Sequence, residues 1–194
     1  FVKHAVSLNS DYIKIIFEPV RPTLLLNQVK ELIRQSHLHD LLAVAHISNL
    51  GDALNLFNLG INGLVHVWDD AVISESEVDQ LASGDLFVIP TLSVHEKVKQ
   101  YYTDNGIENS MLELSDIKQN VRIMHQHQIP ILAGTDPPNL GLNYGTSLYH
   151  ELELLVESGL SPIEAMRSAT SLPAKHFQLD DLGSIKVDGP ADFI

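Results

Sequence analysis

The sequence predicts an α/β fold built from parallel β/α units, and three observations carry that prediction. Short apolar runs alternate with longer stretches of helical periodicity, five times over. The runs are almost continuously apolar, as strands are when both faces of a sheet are covered. No Pro/Gly/Ser-rich linker or low-complexity stretch interrupts the alternation, and the 194 residues suffice for one domain with a sizeable core.

The first run, "YIKIIF" at 12–17, is aromatic and β-branched, with Lys14 inside it. Pro19 and Pro22 break the chain after it, and Thr23 is placed to cap a helix running to about His37. "LLAVAH" at 41–46 is the second strand, and the helix expected over 50–59 is closed by Gly60. "GLVHVW" at 63–68 is the third, and Ser74 with Glu77 three residues on forms a capping box for the helix after it. "LFVIPTL" at 86–92 is the fourth, followed by a longer excursion through Tyr101 and Tyr102 and a helix over 114–127. "IPILAG" at 129–134 is the fifth, with helices expected at 147–158 and 162–170. The tail "LGSIKVDGPADFI" has strand-like runs around an Asp188-Gly189 turn signal and reads as the beginning of a small β element outside the repeat. The expected organisation is therefore 1–180 for the β/α units and 181–194 for the β element.

Composition narrows the function classes. With 44% hydrophobic and 19% charged residues the chain is globular rather than disordered. Its net charge of −13 argues against partners such as nucleic acid or an anionic membrane surface. No apolar run reaches membrane-spanning length, and no signal peptide is read at the start. The lack of cysteine removes disulfides and thiolate metal sites, and suits a cytoplasmic setting. The chain opens on Phe1 rather than Met, and reads as a piece of something longer. Ten histidines put metal chemistry in view.

In β/α folds the carboxyl ends of the strands carry the chemistry. Here the second strand ends at His46, the third has His66 just before its end, the fifth runs into Asp136 in "ILAGTDPP", and the first carries Lys14. Taken singly, a strand-end histidine is ordinarily a hydrogen-bonded structural residue, and an aspartate after a strand a turn former. Together, at one level of successive strands, they point to a divalent cation. An unpaired buried carboxylate is costly, so Asp136 needs a metal or a cationic partner. The pairs His37/His39 and His125/His127 fall at helix ends ahead of strands, on the opposite rim, where the helix dipole alone favours them. His95 and His150 lie on the chemical side and are candidates for contacting substrate. Five β/α units suit either a small doubly wound sheet or part of an eight-unit barrel, and no glycine-rich phosphate loop is present.

The blocks "DYIKI", "AVAHIS", "GLVHVW", "ILAGTD", "GTSLYHELELLVESGLSPIEAMRSAT" and "LGSIKVDGPADF" resemble the amidohydrolase superfamily, in its imidazolonepropionase-like and prolidase-like branch. They span nearly the whole chain in family order. The resemblance implies a partial (β/α)8 TIM-type barrel, the last five β/α units (strands four to eight), with the start of a small β-sandwich. It implies metal ligation by His46, His66, Asp136 and Lys14, the last as a carbamylated bridging lysine, around one or two divalent ions; the donor types suit zinc. It further implies a hydrolase of carbon–nitrogen bonds, dipeptidase-like or acting on a cyclic amide. A metal-bound hydroxide would attack the substrate while Asp136 shuttles the proton. The family's first-strand His-x-His is not in this chain, nor are strands two and three. The alternative is therefore a catalytically incomplete half-barrel fragment acting as a binding or structural module. An incomplete barrel exposes edges at the first and fifth strands, so homo-oligomerisation or association with the missing part of the barrel is expected beside a small-molecule or dipeptide-like substrate.

Overall fold

Strand and helix alternate in the computed structural model, which describes residues 1–18, 24–179 and 181–190. A short α1 (Val2–Ser7) precedes β1 (Tyr12–Ile16), followed by α2 (Leu26–His37), β2 (Leu42–His46), α3 (Leu50–Asn58), β3 (Gly63–Val65), α4 (Glu75–Ala82) and β4 (Phe87–Ile89). Then come α5 (Leu92–Asp104), α6 (Leu114–Gln126), a 3-10 turn (Asn139–Gly141), α7 (Thr146–Glu157), α8 (Pro162–Ser168) and α9 (Ser171–His176). The strands pair in parallel in the order β1-β2-β3-β4. Register places Lys14 beside Val44, His46 beside both Ile16 and Val65, and Gly63 beside Phe87.

The fifth predicted strand docks on β4 in parallel, but through a single bridge between Val88 and Ile131. The Val88 N–H donates to the Pro130 carbonyl (2.9 Å) and the Leu132 N–H to the Val88 carbonyl (2.8 Å). The ladder stops there because Pro130 has no N–H, and the Ala133 amide is drawn away to the Ser168 carbonyl at the end of α8.

A period of two sorts the sheet into two faces. Ile13, Ile15, Ala45, Leu64, Val88 and Ile131 join the helices in the main core. Val44, Val65, Phe87 and Leu132 form a second apolar cluster on the other face, where Leu172 and Phe177 pack against them. The Phe177 ring lies 5.5 Å from the rings of Tyr12 and Phe87, the first residues of their strands. The end of α9 thus covers the amino ends of the strands on that face.

Capping follows the sequence closely. Ser74 and Glu77 form the capping box of α4, Ser161 and Glu164 that of α8, and Gly60 closes α3 at φ +86°. Thr23, Pro19 and Pro22 lie outside the described residues. Two expectations are corrected. Leu92 opens α5 rather than ending the fourth strand, since Pro90 and Thr91 intervene. Tyr101 and Tyr102 belong to α5 rather than to an irregular excursion, because no glycine or proline breaks the helix before Gly106. Residues 181–190 hold a turn at the predicted signal, the Gly189 N–H donating to the Lys186 carbonyl with Asp188 at φ +60°, and no strand. Residues 191–194 lie outside the described set. No helix among the described residues is long and apolar enough to cross a membrane.

Candidate metal centre

The carboxyl ends of the strands converge on a cavity of about 430 Å³ lined by Lys14, Glu18, His46, His66, Asp136 and Asn139, among others. Period two puts Lys14 on the face of β1 away from the helices, between Ile13 and Ile15, which are buried among them. His46 is the last residue of β2, and its ring centroid lies 4.5 Å from that of His66, edge to face. His66 Nε2 is 3.8 Å from Asp136 Oδ2. Asn139 donates from Nδ2 to both Oδ2 and the carbonyl of Asp136, each at 2.8 Å, and so restrains the carboxylate.

Three residues that leave successive strands take the left-handed backbone conformation: His66 (φ +69°), Thr91 (φ +50°) and Asp136 (φ +46°). Histidine and aspartate tolerate this region better than most, whereas a β-branched threonine there is an outlier. Such strain, of about 1–3 kcal/mol per residue, persists only where surrounding contacts hold it.

Those contacts determine the state of His66. Donating to the Pro90 carbonyl (2.7 Å), the Thr91 hydroxyl leaves its oxygen to accept from His66 Nδ1, 2.5 Å away. In that arrangement the proton sits on Nδ1 and Nε2 presents a bare lone pair. Burial, then the neighbouring His46, His95 and Lys14, push the His66 pKa down to about 2, so the ring is neutral. Nε2 is buried with no hydrogen-bond partner. A lone pair facing a carboxylate across 3.8 Å is repulsive with nothing between them. The spacing suits two ligands of one cation held at about 2 Å from each. The residues present thus fit a divalent ion. Burial lowers the Lys14 pKa, with Asp136 pulling it back up.

The amidohydrolase family model matches residues 27–194. The chain belongs to the amidohydrolase family. Solved structures agree in fold. A Xaa-Pro dipeptidase with bound methionine in the active site superposes with a TM-score of 0.77 at 20% identity, covering 98% of this chain and 49% of that one. The A. niger ochratoxinase gives 0.76 at 19%, covering 98% and 46%. A prolidase complexed with N-methylphosphonate-L-proline gives 0.74 at 17%, covering 98% and 49%. The chain spans about half the length of each, and its parallel sheet corresponds to half of an amidohydrolase barrel. No curated protein matches it by sequence.

In this amidohydrolase five other histidines have partners outside the cavity. His95 is buried behind His66, ring centroids 6.4 Å apart, with Nδ1 3.7 Å from Asp69 Oδ2. Burial takes its pKa down to about 4, and that of Asp69 up to about 6. His150 is turned to Glu96 on α5, its Nε2 2.7 Å from Oε2, and does not line the cavity. His37 pairs with Asn62 Oδ1 (2.9 Å), which also accepts from the Ala43 amide at the start of β2, so it belongs to the opposite rim. His125 pairs with Glu164, and His127 with Glu75 and Asp79 in an exposed cluster. Sequence reasoning missed Glu18, whose Oε2 is 3.6 Å from His46 Nε2, and it missed Thr91. An acid two residues past the first strand was a readable signal for Glu18. Nothing in the sequence marked Thr91.

Proposed function

We propose that this chain supplies Lys14, His46, His66 and Asp136 to the metal centre of a divalent-metal-dependent hydrolase, zinc-loaded, that cleaves carbon–nitrogen bonds. The observation that carries the reading is the bare, buried Nε2 of His66 facing the Asp136 carboxylate. His46 and His66 would hold one ion through neutral imidazole nitrogens. When bound, the ion supplies Lewis acidity, drawing the pKa of water towards about 7 and polarising the scissile carbonyl. Asp136, restrained by Asn139, takes the proton of the attacking water and returns it to the leaving nitrogen. At Lys14 the lowered pKa enlarges the neutral amine fraction. Its nitrogen lone pair would add to the carbon of carbon dioxide, with the proton on that nitrogen passing to solvent, and the resulting anionic carbamate would offer oxygen donors to metal. The cavity volume suits a small amide: a dipeptide, an N-acyl amino acid or a cyclic amide.

The test compares variants of the protein on a panel of such amides, with metal content measured in parallel. Asp136→Asn is expected to lower kcat by roughly a hundredfold or more, on the scale of acid–base catalysis. His46→Ala and His66→Ala are expected to lose metal together with activity. Near-normal turnover in Asp136→Asn would remove the shuttle, and full metal retention in both histidine variants would remove the site.

A further inference from the structure

The carboxylate of Glu151, on α7, is wholly buried and lies outside the cavity. Burial pushes its pKa up to about 7 against the pull of the Ser93 and Leu92 amides. A buried carboxylate is costly unless hydrogen-bonded. Here its Oε1 accepts from the Leu92 N–H (2.9 Å) and its Oε2 from the Ser93 N–H (2.8 Å). These are the first two residues of α5, whose leading N–H groups have no partner within the helix.

Ordinarily the residue ahead of a helix provides that cap from its own side chain, with its backbone extended. Thr91 holds the position and is a good capping type, yet it makes no cap bond. Its backbone is left-handed, and its hydroxyl is engaged with the Pro90 carbonyl and His66 Nδ1. The cap comes instead from Glu151, across from α7.

We propose that Glu151 is a positioning residue for the metal centre: by capping α5 in place of Thr91 it keeps the Thr91 hydroxyl on His66, and so holds His66 in the tautomer that offers Nε2 to metal. The proposal rests on the metal reading above. Without the clamp, the α5 amides compete for the threonine oxygen, and His66 loses the acceptor that keeps its proton on Nδ1.

The experiment reads the His66 ring nitrogens by long-range ¹H–¹⁵N correlation in metal-free protein at neutral pH, and separately the affinity for Co²⁺. The parent is expected to show Nδ1 protonated and Nε2 bare. Glu151→Gln, of the same shape, is expected to give mixed tautomers and Co²⁺ binding weaker by about 10–100-fold, the usual effect of losing an outer-sphere partner. Thr91→Val should reproduce that loss, and Thr91→Ser, which keeps the hydroxyl, should restore the parent tautomer. A single parent-like tautomer in Glu151→Gln or in Thr91→Val overturns the proposal. If Glu151→Gln fails to fold, amide exchange in the parent decides: rapid exchange of Leu92 and Ser93 would show there is no clamp, and slow exchange together with the Thr91→Val loss would support it. Should the parent bind no Co²⁺, the metal reading fails, while the tautomer measurement still judges the clamp by itself.

Discussion

His66 and His95 are buried neutral, with pKa values near 2 and near 4 and burial the leading cause in each. Unfolded, each returns to about 6.5. Between those values the unfolded chain binds protons that the native chain does not, so stability falls as pH drops below about 6.5 and is untouched above it. His95 alone accounts for about 3 kcal/mol by pH 4. His127 and His150 have the opposite sign. The Ile123 carbonyl leads in raising the first and Glu96 in raising the second, so their contribution is present in acid and is lost as pH rises through the elevated pKa. An NMR titration is expected to find the His66 and His95 rings uncharged at pH 5.5, where His127 and His150 are charged. Titration of His66 near 6.5 would show that its surroundings are wet. At this scale the convergence of His46, His66 and Asp136 on one cavity was legible because residue type and strand-end position coincide. Thr91 and Glu151 were not, because their roles depend on a backbone angle and on a neighbour 60 positions away along the chain.

Among the elements, β3 and β4 meet at an unusually close point. A Cβ built on Gly63 would lie 2.3 Å from the Phe87 ring, its register partner. Gly63→Ala therefore forces the ring to move, and is expected to destabilise by about 1–3 kcal/mol, as overpacking does. Adding Phe87→Leu should return part of that loss, which a double-mutant cycle of denaturant midpoints would measure as a non-additive term. Additive effects would show that the ring already has room. The strands themselves were readable from apolar runs, and α4 from its capping box. What escaped was α1 and α9, six residues each, too short to show a helical period. In α9, Pro173 reads as a breaker, yet it occupies the first turn, where a missing N–H removes no helical bond. The fifth run was legible, but its short ladder depended on Ala133 finding Ser168 instead of β4.

For the whole molecule the sheet edge matters most. β1 has β2 on one side and no strand partner on the other among the described residues. Its side chains Tyr12 and Ile16 are 42% and 52% exposed, which leaves an unpaired, apolar strand. Since the chain spans about half the length of the solved structures it resembles, further β/α units would be a natural cover for this edge. Produced by itself, the chain is expected to self-associate, with sedimentation velocity showing a mass that rises with concentration. Ile16→Lys should shift the balance towards monomer. A parent that stays monomeric throughout would show that the edge is tolerated bare. The β/α alternation made the parallel units legible from the sequence, and the resemblance to the amidohydrolase superfamily made them half a barrel. The covering of the strands' amino ends by Phe177 was not, since that contact joins residues from opposite ends of the chain.

The left-handed residues at His66, Thr91 and Asp136 also bear on inheritance. Glycine at any of the three would relax the backbone by about 1–3 kcal/mol, and would remove a side chain on which the proposed site depends. Selection for stability and selection for chemistry therefore pull in opposite directions at these three positions. A lineage freed from its chemistry would drift towards glycine or asparagine there and grow sturdier as it lost its site.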